Sequence, residues 1–390
     1  MTAVARLLKP LEEFLSIETM SGLLLLVAAG VALAMANSGM HADVAAFWDA
    51  PRLPGQVSLH FLVNDVLMAV FFLVVGLEIR REMHDGALST LSHAALPLVA
   101  AAGGIVAPAS IYLLLAGASA QVGWAIPTAT DIAFAVGVLA LLGRRVDPSL
   151  RVLLLAVAIA DDIAAVLIIA LFYAEGIAPS GVAIAAAGTG LAVLGHRHGL
   201  NAWFVTLLPG VLVWYGLEHA GIHPALAGVV VGMLAPMKPN RAGDGPPALR
   251  LESALHPWVA FGVMPLFALA NAGVRMEGID FATSEAHGLA LGIALGLAVG
   301  KPLGIAAAVA VAIRSRLVTM PEGVSPAGIA VIGCLGGIGF TMSIFISALA
   351  FTEPAPLEVA KFGVLAGSAI AAVAGIALGA LLLRAPHASR

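Results

Sequence analysis

The chain is poor in charge and in cysteine. Only 11% of its 390 residues are charged and 6% are aromatic, against 61% hydrophobic, and there is one cysteine. So few charges cannot cover a soluble domain, which typically carries about 25% charged residues. Lys and Arg number 19 against 23 Asp and Glu, a net charge of −4. That balance says little by itself, since the placement of charge matters more, and no nucleic-acid partner is expected. The lone Cys334 excludes an intrachain disulfide and fits no metal motif. No His-Glu-x-x-His stretch and no Gly-x-Ser-x-Gly elbow is present, so two common hydrolase signatures are missing.

What remains is a series of long apolar runs, and mean hydropathy is +1.02. Recurrent runs of about 20 apolar residues predict an all-α polytopic membrane protein, since helices satisfy their own backbone in lipid. Punctuation predicts about twelve transmembrane helices, near 13–36, 59–80, 94–116, 121–143, 151–174, 181–196, 202–218, 223–236, 256–274, 288–313, 326–350 and 357–383. The sixth to eighth are short and Gly-rich. Residues 1–390 read as a single transmembrane domain, and the longest polar connections are 37–58 and 237–255. Ala34-Met35-Ala36 resembles a signal-peptidase site, but the run before it is longer than a signal core and reads as an uncleaved first span.

Charge sets the orientation. With the N-terminus and every second loop on one side, that side holds Arg6, Lys9, Arg80, Arg81, Arg144, Arg145, Arg151, Arg197, Lys238, Arg241, Arg250, Arg314, Arg316, Arg384 and Arg390. The other side holds Arg52, Arg275 and Lys361, and Lys301 lies inside a span. The positive-inside rule makes the first side cytoplasmic, together with both termini.

Two spans are interrupted by their own sequence. The fourth reads Trp124-Ala125-Ile126-Pro127-Thr128-Ala129-Thr130-Asp131, where Pro127 removes a backbone donor. The eleventh reads Gly333-Cys334-Leu335-Gly336-Gly337-Ile338-Gly339-Phe340-Thr341, with four glycines in seven residues. Paired interrupted helices in corresponding positions point to a transporter site. The trios around them, approximately 94–174 and 288–383, enter from opposite sides and read as inverted repeats.

The acids carry the chemistry. Asp161 and Asp162 sit in the apolar run from Val152 to Tyr173. Asp161 lies ten residues past Arg151, about 15 Å along a helix and near the middle of a roughly 30 Å hydrocarbon layer. A carboxylate there costs about 2.5–3.5 kcal/mol or more, so a pair of them points to proton or cation handling. The two project about 100° apart, so one faces a pathway and the other a neighbouring helix. They titrate as a coupled pair. A dehydrated cation and a proton seek the same oxygens, and a site that holds one or the other becomes an antiporter under alternating access.

Asp131 follows the fourth-span break. It either offsets the positive half-helix N-termini or, with Thr130 and loose carbonyls, ligates a cation. Lys301, between Gly300 and Pro302, needs a partner at midplane depth. Candidates are Asp161, Asp162 or the negative ends of the broken helices. Asp65, after Asn64, lies in the outer half of the second span, and His223 reads as structural. Glu78, Arg81, Glu82, His84 and Asp85 cluster after the second span, and Glu252 and His256 open the ninth. Such a group suits a cytoplasmic pH sensor or a solvated membrane edge.

Ala129-Thr130-Asp131, Ala160-Asp161-Asp162, Leu255-His256-Pro257-Trp258, Gly300-Lys301-Pro302 and Gly336-Gly337-Ile338-Gly339-Phe340-Thr341 closely resemble the NhaA family of bacterial sodium/proton antiporters. That family is itself among those from which the rule of paired interrupted helices was drawn. The resemblance spans nearly the whole chain. It implies a twelve-helix protein of the bacterial inner membrane that exchanges cytoplasmic Na+ or Li+ for external H+, electrogenically and under pH control, without a cofactor. It implies Asp161 and Asp162 as the cation and proton site, with Thr130 beside it. It implies Asp131 and Lys301 as helix-dipole compensators, and Glu78, Arg81, Glu82, Glu252 and His256 as the pH-response region. It further implies a homodimer formed in part through residues 45–58. Leu249 and Ser253 stand where well-known members carry basic or titratable residues, which bears on the pH set-point.

Two other classes are weighed against this reading. A proton-coupled carrier of an organic solute would want Arg or aromatic anchors, yet Lys301 is the one cation within a span. An intramembrane aspartyl enzyme would need a facing dyad, which Asp161 and Asp162, adjacent on one helix, cannot form, although Asp131 and Asp161 could in principle.

Overall fold

The computed structural model describes residues 3–53, 57–174, 176–198, 200, 202–238, 245–278 and 283–383. Side chains are described from Thr19 onward, apart from those at 53, 144 and 278. Among the described residues the chain is all-α, apart from one antiparallel pair of short strands. Its helices are α1 (Ala3–Ala36), α2 (His41–Asp49), α3 (Leu59–His84), α4 (Leu91–Leu115), α5 (Ile132–Leu141), α6 (Pro148–Phe172) and α7 (Pro179–Arg197). They continue with α8 (Ala202–Ala220), α9 (Leu226–Leu234), α10 (Pro247–Asn271), α11 (Ser284–Arg314), α12 (Pro326–Gly336), α13 (Phe340–Ala350) and α14 (Pro354–Leu382). A 3-10 helix, Ala118–Thr128, precedes α5.

Among the described residues, eight helices are long and apolar enough to cross a membrane. The count becomes ten when each of two bent pairs is taken as one span. Those pairs are Ala118–Thr128 with α5, bent by 54°, and α12 with α13, bent by 45°. They are the two spans whose Pro and Gly content predicted a break. A count of twelve requires α8 and the nine-residue α9 as further spans.

Several boundaries differ from expectation. The 37–58 connection holds α2 and an antiparallel pairing of β1 (Pro51–Leu53) with β2 (Val57–Ser58), because a short helix and a strand pairing satisfy backbone that a bare loop would leave open. Residues 54–56 lie outside the described residues. In the 237–255 connection, α10 begins at Pro247, a favourable first helical position, so Glu252 and His256 lie within a helix rather than at its mouth. Likewise α3 runs on to His84, which puts Glu78, Arg81 and Glu82 on its last turns. Of the cations used for orientation, the side chains of Arg6, Lys9 and Arg144 and the whole of Arg241, Arg384 and Arg390 lie outside the described residues.

The chain divides into two compact units. The first comprises 1–39, 92–161 and 271–390, and the second 40–91 and 162–270. In the first, α1 packs on α5, with Gly22 against the Ala133 carbonyl. There α4 meets α11 where Gly103 and Gly304 bring the two backbones together. In the second, α7 pairs with α8 and α3 with α9. Gly228 and Gly232, four apart on α9, seat against the α3 backbone. Such small-residue contacts replace the hydrophobic drive that is missing between helices in lipid.

Candidate functional site

The site is built in the first unit from the two breaks. Pro127 and the run to Asp131 take the chain out of helical geometry at Ala129, which is extended. Gly337-Ile338-Gly339 does the same between α12 and α13. The two breaks meet: Asp131 N donates to Ile338 O at 2.7 Å. Each break thereby leaves a half-helix C-terminus and a half-helix N-terminus inside the apolar layer, with partial negative and positive charge respectively.

Asp131 serves both N-termini. Its Oδ1 accepts from Phe134 N in the first turn of α5 at 3.1 Å. Its Oδ2 accepts from Thr341 N in the first turn of α13, also at 3.1 Å, and from the Thr341 hydroxyl. A second α13 amide, Phe340 N, donates to Ser368 Oγ at 3.1 Å. The geometry is that of a shared N-cap.

Lys301 serves the opposite ends. It is fully buried, and its ammonium donates to Thr128 O, the carbonyl that closes the 3-10 arm. It also donates to Thr130 Oγ1 at 2.7 Å and pairs with Asp161 Oδ2 at 2.8 Å. Lys301 follows a wide turn, Gly296–Gly300, of the kind often found at functional sites. Gly104 and Gly336 lie beside it: a Cβ on either would stand 3.4 or 4.0 Å from Lys301 Cε, ordinary packing distance.

Thr130 joins the two systems. Its Oγ1 lies 2.7 Å from Asp161 Oδ2 and 2.8 Å from Gly336 O, the carbonyl at the end of α12. Both partners are acceptors and the hydroxyl has one proton, so it serves one at a time. Asp161 is 2% exposed, and its Oδ1 has no hydrogen-bond partner among the described residues. The two oxygens of one buried carboxylate are thus unequal. Oδ2 is held by an ammonium and a hydroxyl, while Oδ1, equally buried, has no hydrogen-bond partner among the described residues.

The sequence therefore named most of this constellation: Thr130, Asp131, Asp161 and Lys301 converge. Asp162 is buried as well, in the second unit. Thr341 was noted only as part of a motif, and Thr128, Gly104 and Ser368 were not singled out as site residues. The usable signal was a hydroxyl residue one or two places past each break. Comparison of the whole sequence with known proteins decides the family. The model of the family described as Na+/H+ antiporter 1 matches residues 12–378.

The chain belongs to that family. It is 46% identical to a Na(+)/H(+) antiporter NhaA of Bordetella petrii, over 96% of this chain and 91% of the relative. It is 47% identical to the one of a Janthinobacterium species, over 96% and 93%. It is 45% identical to the one of Bartonella bacilliformis, over 97% and 94%. The family is one of antiporters, not enzymes.

A second cluster lies in the second unit of this antiporter-family chain. Arg81 on α3 pairs with Glu252 Oε1 on α10, and its other nitrogen reaches Glu82 Oε1 at 3.4 Å. Glu82 Oε2 in turn accepts from Ala87 N at 2.9 Å, fixing the chain as it leaves α3. Glu252 and His256 are both buried, and Glu252 Oε2 has no hydrogen-bond partner among the described residues. Glu78, Arg81, Glu82, Glu252 and His256 thus fall on two helices of one unit.

Proposed function

We propose that the chain exchanges cytoplasmic Na+ or Li+ for external H+, with cation and protons competing for Asp161 and Asp162. The single observation that carries this is Asp161 Oδ1, without a hydrogen-bond partner among the described residues, in a carboxylate whose other oxygen is already held by Lys301 and Thr130. An arriving monovalent cation gains a carboxylate oxygen and weakens the hold of Lys301. A proton on the same carboxylate does likewise. Occupancy is therefore exclusive, and exclusive occupancy with alternating access is exchange.

Asp131 and Lys301 hold the half-helix ends that line this place, so neither needs to touch the transported ion. Two carboxylates releasing two protons per monovalent cation make the exchange electrogenic. The cluster of Glu78, Arg81, Glu82, Glu252 and His256 sets the pH range. The similar bends at the two breaks support an inverted-repeat reading of approximately 94–174 and 288–383. The charge distribution supports cytoplasmic termini and insertion in the bacterial inner membrane. The β1–β2 pairing and the second half of α2, within residues 45–58, suit a homodimer contact.

The test is cation-driven proton movement in everted membrane vesicles, with Na+, Li+ and K+ added in turn. Wild type should respond to Na+ or Li+, and Asp161→Asn and Asp162→Asn should each abolish the response. A response that survives both substitutions would refute the shared site. No response to any cation from about pH 6 to 9 would turn attention to an organic solute. Exchange indifferent to membrane potential would refute electrogenicity.

A further inference from the structure

The 3-10 arm Ala118–Thr128, in the first unit, is long for its kind at 11 residues. Runs beyond three or four residues are uncommon, because the hydrogen-bond geometry is poor and the side chains eclipse. Such an arm needs holding from outside, and hydroxyls hold it. Tyr112 Oη, from α4, donates to Ala120 O at 2.5 Å near the start of the arm. Ser343 Oγ, from α13, donates to Ile126 O at 2.7 Å near its end. Thr128 Oγ1 closes the last turn on Ala125 O at 2.7 Å.

Tyr112 is fully buried, and its side chain reaches both the arm and α11. A Cβ on Gly292 of α11 would stand 3.3 Å from Tyr112 Cδ2. A Cβ on Gly123 of the arm would collide with the Tyr112 hydroxyl. Further along, the arm and α11 meet again. A Cβ on Gly296 would come within 2.7 Å of Pro127 Cβ, and the next residue, Thr128, offers its carbonyl to Lys301. From Ala120 to Thr128 the arm covers about 16 Å, at about 2.0 Å per residue. From Gly292 to Lys301 α11 covers about 14 Å, at about 1.5 Å per residue. The arm and α11 are thus two struts of similar length running the same way. Tyr112 joins them at one end and Lys301 at the other.

We propose that Tyr112 is a positioning residue for the ion site. Its bond to Ala120 O fixes where the arm ends, and so how firmly Thr128 O holds the Lys301 ammonium. Each residue of the arm that relaxes from 3-10 to α geometry shortens it by about 0.5 Å. Two or three such residues withdraw Thr128 O beyond hydrogen-bond reach. Lys301 then leans harder on Thr130 Oγ1 and Asp161 Oδ2, its other acceptors in this site. A cation arriving at Asp161 must displace a tighter pair, so its apparent affinity falls. Tyr112 touches no transported ion and acts through Thr128 and Lys301. The effect on exchange rests on the transport reading above, whereas the effect on the arm does not.

The test uses the full chain with Tyr112→Phe, which keeps the ring and removes the hydroxyl. In everted vesicles the Na+ or Li+ concentration for half-maximal exchange should rise about three- to tenfold, the loss of one hydrogen bond. The maximal rate should stay within about twofold, because binding and not turnover is altered. Gly123→Ala pushes the hydroxyl off Ala120 without removing it, and should raise half-saturation in the same way. In the Tyr112→Phe background Gly123→Ala should add little, since its Cβ takes the space the hydroxyl left. A scaffold role alone would lower yield or maximal rate at unchanged half-saturation, and that result would overturn the proposal. So would effects of the two substitutions that simply add. Hydrogen–deuterium exchange of the purified chain supplies a reading without transport. Peptides covering 118–128 should exchange several-fold faster in Tyr112→Phe, or in Gly123→Ala should Tyr112→Phe not fold, and unchanged exchange there would overturn the proposal. A wild type indifferent to Na+ and Li+ would instead refute the transport reading, and hydrogen exchange would still decide whether Tyr112 orders the arm.

Discussion

Asp131 and Thr341 tie together two half-helices that are 210 residues apart in sequence. The Asp131 carboxylate accepts the Thr341 amide through Oδ2 while Oδ1 accepts the Phe134 amide. One negative charge therefore lies between two positive helix ends. Asp131→Asn keeps one of the two acceptor oxygens but loses the other and the charge, and should lower stability by about 1–2 kcal/mol. Asp131→Ala should cost more, because it leaves buried amides without acceptors. Thermal unfolding in detergent orders the three proteins. Equal stability of Asp131→Asn and Asp131→Ala would show that the cap is unimportant.

Lys301 and Asp161 form a fully buried ion pair. Breaking such a pair from one side typically costs about 3–5 kcal/mol, since the remaining charge has no compensation. Lys301→Met should therefore unfold well below wild type. Lys301→Met combined with Asp161→Asn should recover much of that stability without recovering exchange. A double variant no more stable than Lys301→Met would remove the ion pair from the account.

Thr130 has one proton for two acceptors, Asp161 Oδ2 and Gly336 O. Thr130→Ser preserves the hydroxyl and should exchange nearly as wild type does. Thr130→Val leaves a buried carbonyl and a carboxylate short of a donor, a loss of about 1–3 kcal/mol. Under the shared-site reading it should also raise the Na+ concentration for half-maximal exchange about tenfold or more. Concentration dependence in everted vesicles distinguishes the two substitutions, and identical curves would exclude a role for the hydroxyl.

Gly76 on α3 lies against α9, and a Cβ there would come within 2.7 Å of Val229 O and 2.9 Å of Val229 Cα. These are backbone atoms and cannot swing aside. Gly76→Ala should destabilise the protein by about 1–3 kcal/mol, as overpacking does. Gly262→Ala on α10, where an added Cβ meets nothing within 4 Å, should be neutral or slightly stabilising. Melting temperatures of the two variants test this, and a harmless Gly76→Ala would mean that α3 and α9 are free to separate.

The amino-acid sequence by itself determined the helical membrane class, the two interrupted spans and the polar residues of the site. Each of these is a one-dimensional signal. Long apolar runs must become helices in lipid, Pro127 and the Gly336-Gly337-Ile338-Gly339 run must break them, and an ionisable side chain at midplane is too costly to be idle. The sequence left two readings of Asp131 and several partners for Lys301. Only the tertiary structure decided that Asp131 caps α5 and α13, that Lys301 takes Asp161 together with the Thr128 carbonyl, and that Thr130 bridges Asp161 to Gly336. It alone also left Asp161 with one held oxygen and one without a hydrogen-bond partner among the described residues. Those facts depend on which backbone ends meet across hundreds of residues. Hydrogen-bond partners at long range are fixed by packing, through contacts such as Gly103 with Gly304, and periodicity along the chain does not encode them.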